Sequence, residues 1–294
     1  MLRWIMPFIL LFILVGCSKN DIFPTDTKVY DAPENYGYNY EEFYFKSSQE
    51  ALLRGWLFRA KGPSLGIVVV SNGIIYNMSE RFKKWTWVLD EGYDLFIYDF
   101  RGYGNSFGEV DMFGFVDDVT AAIAYSHDLN KALPMVVVGQ SMGGSFVIDA
   151  VVKDEYSYVK LLVIDSTMQG FARSVNDLIE KHFLLWPLIW VPDAITPVGV
   201  DSIDFVDKTN RATLFLVGLQ DTVIEPEHSV DLYLKAKEPK ALWIVEDAGH
   251  AECICKSQVK AALKEVLSAA FNNSYEDISG IRYFEREHIS IGAP

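Results

Sequence analysis

The sequence predicts an α/β protein, a mostly parallel, doubly wound sheet of about eight strands that carries a small helical cap. Three observations lead there. Short apolar runs alternate along the chain with segments of helical periodicity. The later runs are continuous and rich in Val and Ile, the pattern of parallel strands covered on both faces. One interval, Met168 to Asn210, separates two core runs by far more chain than an ordinary connection needs.

In chain order, the strand-like runs are Glu42 to Phe45, Leu52 to Phe58, Ile67 to Val70, Leu95 to Tyr98, Met135 to Val138, Leu161 to Ile164, Leu214 to Val217 and Leu242 to Val245. Helical patterns lie between them, near Ser79 to Asp90, Phe113 to His127, Met142 to Val152, Glu227 to Lys237 and Cys253 to Ala270. This βαβ order places function at the strand C-termini. The Met168 to Asn210 insertion holds an apolar stretch, His182 to Pro192, that water would not tolerate openly, so it is expected to cap the site. The main domain is expected over residues 40–271, and the polar tail, residues 272–294, shows no pattern that assigns it structure.

With 294 residues, half of them hydrophobic, the chain can bury one large core. Its 40 acidic against 26 basic residues give a net charge of −14, which argues against nucleic acid as a partner because phosphate contacts need clustered Lys and Arg. The N-terminus is built differently. Arg3 precedes an apolar stretch, Ile5 to Val15, too short to cross a bilayer, and Gly16 stands before Cys17, the layout of a secretory signal. Leu14-Val15-Gly16-Cys17 resembles the lipobox of bacterial lipoproteins. That resemblance implies a signal peptide over residues 1–16, an acylated Cys17 as membrane anchor, a tether over residues 17–39, and a place in the cell envelope facing the periplasm or exterior. Ser18 lacks the Asp that holds many such proteins at the inner membrane, which points to the outer one. The alternative is an uncleaved anchor with an incidental Cys. Cys253 and Cys255 stand too close for a relaxed disulfide, and with His250 they offer too few ligands for zinc, so no metal is expected.

The chemistry centres on Met135-Val136-Val137-Val138-Gly139-Gln140-Ser141-Met142-Gly143-Gly144. Gly-x-Ser-x-Gly between a buried strand and a helix is a nucleophile elbow, whose glycines permit a tight turn that leaves the Ser hydroxyl exposed at a helix N-terminus. A serine needs a base, and the base an orienting acid. Two later strand ends supply candidates, Gly218 to Pro226 with Asp221 and Glu246 to His250 with His250.

Together with Asp99-Phe100-Arg101-Gly102-Tyr103-Gly104-Asn105-Ser106, these motifs resemble the α/β-hydrolase superfamily, in the branch of serine aminopeptidases, monoglyceride lipases and Bem46-like proteins, over roughly residues 40–271. The resemblance implies the α/β-hydrolase fold, Ser141 as nucleophile, Asp221 as acid and His250 as base; Asp165, at another strand end, is the rival acid. It also implies an oxyanion hole from the N–H groups of Met142 and Ile74. The family usually has His-Gly where this chain has Asn72-Gly73. Arg101 is expected to brace its own loop, and His127, His182, His228 and His288 fit no triad position.

The expected reaction is acyl transfer to Ser141 followed by hydrolysis, without a cofactor, on a small-molecule or lipid acyl substrate. Carboxylic esters are preferred over thioesters and amides because the cap is apolar and the chain carries an anchor. One alternative is a peptidase releasing N-terminal residues, with the amine held by Asp193, Asp201, Asp204 or Asp207. Another is a non-catalytic lipoprotein binding module that keeps the fold.

Overall fold

The computed structural model describes residues 25–48, 51–153, 156–181, 186, 192, 201–274 and 278–286. Cys17, the signal segment and most of the apolar stretch from His182 to Pro192 lie outside the described residues.

All eight expected strands form: β1 Glu41–Ser48, β2 Ala51–Phe58, β3 Gly66–Ser71, β4 Tyr93–Tyr98, β5 Met135–Gln140, β6 Val159–Asp165, β7 Ala212–Gly218 and β8 Lys240–Val245. A ninth, β9 Gly280–Phe284, adds to the edge from within the tail, pairing Val245 with Phe284. The sheet runs β1-β2-β4-β3-β5-β6-β7-β8-β9, with β1–β2 and β2–β4 antiparallel and every other pair parallel.

The continuous Val/Ile runs are explained by two cores, one on each face. Ile67, Val69, Val137, Leu162, Ile164 and Phe215 face one cluster, while Val68, Val70, Val136, Val138, Val163 and Leu214 face the other. Each full burial of such a side chain contributes about 1.5–3 kcal/mol, so neither face of a central strand can take a polar residue cheaply.

Helices cover both cores. They are α1 Met78–Arg81, α2 Met112–Leu129, α3 Met142–Lys153, α4 Phe171–Glu180, α5 Pro226–Lys235 and α6 Ser257–Phe271. Residues of α2, α3 and α5 pack in the first cluster, and those of α1 and α6 in the second. The expected helix over Ser79 to Asp90 is instead α1 followed by two 3-10 turns, Phe82–Lys84 and Thr86–Leu89. Its buried residues Phe82, Trp85 and Val88 recur every third position, the 3-10 repeat.

The segment expected as a tether, residues 17–39, is docked on the domain from Thr25 onward. Gly104 N–H donates to the Asp26 carbonyl at 2.7 Å, the Asn77 amide donates to that of Lys28 at 2.7 Å, and Tyr30 N–H donates to Ser79 Oγ at 3.0 Å. Lys83 closes the run with an ion pair to Asp31 at 2.7 Å.

At the foot of the insertion, Asp201 accepts from Phe171 N–H at 2.9 Å and so ties its two ends together. His228 of α5 accepts from Gln169 N–H on Nδ1 at 3.2 Å, which leaves Nε2–H to donate to Asp177 of α4 at 2.6 Å. Arg101 braces its loop as expected, gripping the buried Asp118 through Nη2 at 2.7 Å and its own N–H at 2.9 Å.

Candidate active site

Ser141 sits between β5 and α3 with φ +54°, a left-handed conformation that non-glycine residues rarely adopt. Its neighbours make the turn possible. A side chain on Gly139 would run into Gly144 Cα, and one on Gly143 into the carbonyls of Ser71 and Asn72. The elbow is held by Ser141 N–H donating to the Asp165 carbonyl at 2.9 Å and by Thr167 Oγ1 donating to the Ser141 carbonyl at 3.0 Å. Strained backbone of this kind persists where its surroundings over-determine it.

The ends of β7 and β8 bring the partners. Ser141 Oγ donates to His250 Nε2 at 2.8 Å, and His250 Nδ1–H donates to Asp221 Oδ2 at 2.8 Å. Asp221 Oδ1 also accepts from Val223 and Ile224 N–H, each at 2.9 Å. Burial alone would raise the Asp221 carboxyl, but the hydrogen bond and charge of His250 and these two N–H groups hold it below the usual carboxylate range. An ionised Asp221 fixes the proton on Nδ1 and leaves Nε2 with a lone pair for the serine proton.

The rival acid, Asp165, does not meet His250. It is fully buried and accepts from the Gln140 amide at 3.0 Å, and burial pushes its carboxyl up. Beside it lies a support the sequence did not reveal. Ser166 and Ala251 also take left-handed backbone, φ +53° and +52°, and Ala251 N–H donates to Ser166 Oγ at 3.1 Å. Ser166 thereby ties the residue after His250 to the end of β6, and no motif marks it.

The loop after β3 closes the other side. A Cβ on Gly73 would stand 2.9 Å from Ser141 Cβ, Ile74 is buried and anchors the loop, and Met142 opens α3 directly after the serine. Asn72 is 3% exposed, and neither end of its amide has a hydrogen-bond partner within the protein. The opening above Ser141 is lined by Gly73, Ile75, Arg81, Gln140, His250 and Ala251.

Cys253 is buried, Cys255 is exposed and both are free thiols; burial, reinforced by the nearby Asp165, pushes the Cys253 thiol up. Among the described residues no group of three His, Cys, Asp or Glu could hold a metal. No described helix is long and apolar enough to cross a membrane.

A family model described as serine aminopeptidase, S33, matches residues 62–197, a stretch that contains Ser141 but ends before Asp221 and His250. The chain is 26% identical to the protein YfhR of Escherichia coli over 258 residues, 83% of this chain and 86% of that one. It is 25% identical to the α/β hydrolase domain-containing protein WAV2 of Arabidopsis thaliana, covering 71% of each. Among solved structures it resembles the Pyrococcus furiosus esterase Pf2001 with a TM-score of 0.66 at 18% identity, covering 85% of this chain and 97% of that one. Strand order, elbow and these likenesses converge on one architecture: the chain has the α/β-hydrolase fold, and Ser141, His250 and Asp221 meet at the C-terminal ends of its strands.

Proposed function

We propose that the protein is a serine hydrolase that cleaves carboxylic esters through an acyl-enzyme on Ser141. The observation that carries this reading is the continuous Asp221–His250–Ser141 hydrogen-bond relay, both links at 2.8 Å, ending on a serine forced out into the opening. Its chemistry follows directly. As Ser141 Oγ attacks the acyl carbon, His250 Nε2 takes the hydroxyl proton, and Asp221 stabilises the imidazolium that forms. Negative charge gathers on the former carbonyl oxygen, where the N–H groups of Met142 and Ile74 are the assigned donors. Collapse breaks the ester C–O bond, and His250 hands its proton to the departing alkoxide. Water enters in the same way, deprotonated by His250, and its attack releases the acid and restores the serine.

Acyl lipids are the favoured substrates, because the same reading takes Cys17 to be acylated and the enzyme to work at a membrane of the cell envelope. In the peptidase alternative the cap aspartates would have to hold an amine, yet Asp201 is already engaged with the Phe171 N–H.

A fluorophosphonate probe should label the wild type at Ser141, and Ser141→Ala should abolish both labelling and ester hydrolysis, the latter by on the order of a million-fold. Labelling that survives in Ser141→Ala would remove the assignment. Nitrophenyl esters, acyl thioesters and aminoacyl anilides assayed side by side should rank in that order.

A further inference from the structure

The docked N-terminal segment and the catalytic opening share a wall. Tyr30 packs edge-on against Tyr76, ring centroids 5.4 Å apart, and the Arg81 guanidinium lies over the other aromatic partner, 4.9 Å from the Tyr76 centroid. Ile75 and Arg81 line the opening above Ser141. On this wall Ile75 is 50% exposed, Tyr76 38% and Tyr30 37%, and Val29, next to Tyr30 in the chain, is 60% exposed, a concentration of uncovered apolar surface beside a site. The Asp221 loop exposes two more, Leu219 and Val223. Over residues 25–36 and 75–84 Lys28, Arg81, Lys83 and Lys84 balance Asp26, Asp31, Glu34 and Glu80, so these two stretches do not share the acidity of the whole chain. Tyrosines with an apolar body and a polar tip suit a lipid–water boundary.

Chain length supplies the second argument. Only residues 18–24 lie between Cys17 and the docked Thr25, and whatever path they take they reach at most about 28 Å. A domain of this size is about 48 Å across. An acyl group on Cys17 therefore cannot reach a bilayer lying against the pole opposite Thr25.

We propose that the protein holds its catalytic opening against the bilayer that receives the Cys17 acyl chains, with Val29, Tyr30, Ile75 and Tyr76 meeting lipid, and draws its acyl substrate from that same membrane. This rests on the lipidated-hydrolase reading above. The docked segment acts as a rigid spacer that converts an anchor into an orientation, and substrate concentration at the opening is then set by the membrane.

The test uses the acylated protein in phosphatidylethanolamine–phosphatidylglycerol vesicles containing a nitroxide-labelled lipid, in a Cys255→Ser background so that the exposed thiol does not react. A bimane on Val29→Cys should be quenched at least threefold more than one on Lys131→Cys, which precedes β5 at the opposite pole. Equal quenching at the two sites, or stronger quenching at Lys131→Cys, overturns the proposed orientation; a protein partner on this patch would give that result. Quenching does not depend on turnover, so an inactive enzyme that is quenched at Val29 would sink the hydrolase reading alone. Mass spectrometry of the mature N-terminus checks the premise, and an unmodified Cys17 would remove anchor and orientation together while leaving Ser141 labelling intact. The substrate half is read separately. Val29→Asp with Tyr30→Asp should lower turnover of vesicle-embedded acyl lipid at least fivefold and keep that of a water-soluble ester within twofold, and equal effects on both would overturn it.

Discussion

At Asp221 the fold and the chemistry make opposite demands on one carboxylate. It is buried enough to be raised, yet three N–H groups keep it ionised, and this is the charge His250 needs. Asp221→Asn should therefore keep the fold and cut turnover by roughly ten-thousand-fold, whereas Asp165→Asn should cost far less; steady-state kinetics on a soluble ester with parallel thermal melts decides, and the reverse ranking would move the role to Asp165. Because Asp221 is held low, its contribution to stability is present above about pH 4, the unfolded value, and fades as pH falls further. Asp99 runs the other way. Burial raises its carboxyl to about 7, against the Met78 N–H that donates to it at 2.6 Å. The folded protein then binds a proton that the unfolded chain has released, so stability falls as pH rises from about 4 to about 7. The drop in melting temperature between pH 5.5 and pH 8 should shrink in Asp99→Asn, and an unchanged drop would remove Asp99 from the account. At this scale the sequence spoke where chemistry imposes a motif, as for Ser141, Asp221 and His250. It was silent on Ser166, because a hydroxyl accepting one backbone N–H needs no pattern around it.

Elements were legible where burial imposes a period. Strands β2 to β8 read as apolar runs because neighbouring strands and helices cover them, the edge strand β1 read through Phe43, Tyr44 and Phe45, and the boundaries of all eight moved only by a residue or two at most ends. The ninth, at the other edge, escaped because its short run Gly280–Phe284 mixes Gly and Arg with its apolar residues and shows no apolar period. Gly280, Ile281, Arg282 and Tyr283 are exposed, and Phe284 alone is buried. Phe284 still packs against Trp243, centroids 5.3 Å apart, and carries Arg282 over its ring at 4.8 Å. Phe284→Ala should cost about 3 kcal/mol of stability, seen as a lower midpoint in urea with little change in slope. Since β8 leads directly into the Glu246–His250 loop, the variant should also lose activity at a lower temperature than it loses helical circular dichroism; coincident losses would show β9 to be an ordinary part of the core. The helix expected over Ser79 to Asp90 failed for a related reason, since the spacing of its apolar residues suits either repeat and packing on β4 selected the tighter one.

Across the whole molecule the Asp221–His250–Ser141 relay is a long-range object. His250 stands 109 residues from Ser141 and 29 from Asp221, and the three sit at the ends of β5, β7 and β8. Neither of the relay's hydrogen bonds is local, so each needs a long loop closed, and both are expected to form only once those strands are in register. Probe capture by Ser141 is thus a clock for the last stage of folding. During refolding from urea, fluorophosphonate labelling should lag behind the recovery of far-ultraviolet circular dichroism, and simultaneous recovery would mean that β7 and β8 dock as early as the rest. If Ser141 is the nucleophile proposed above, a newly made chain would accordingly carry a serine that cannot attack anything until its sheet is closed around it.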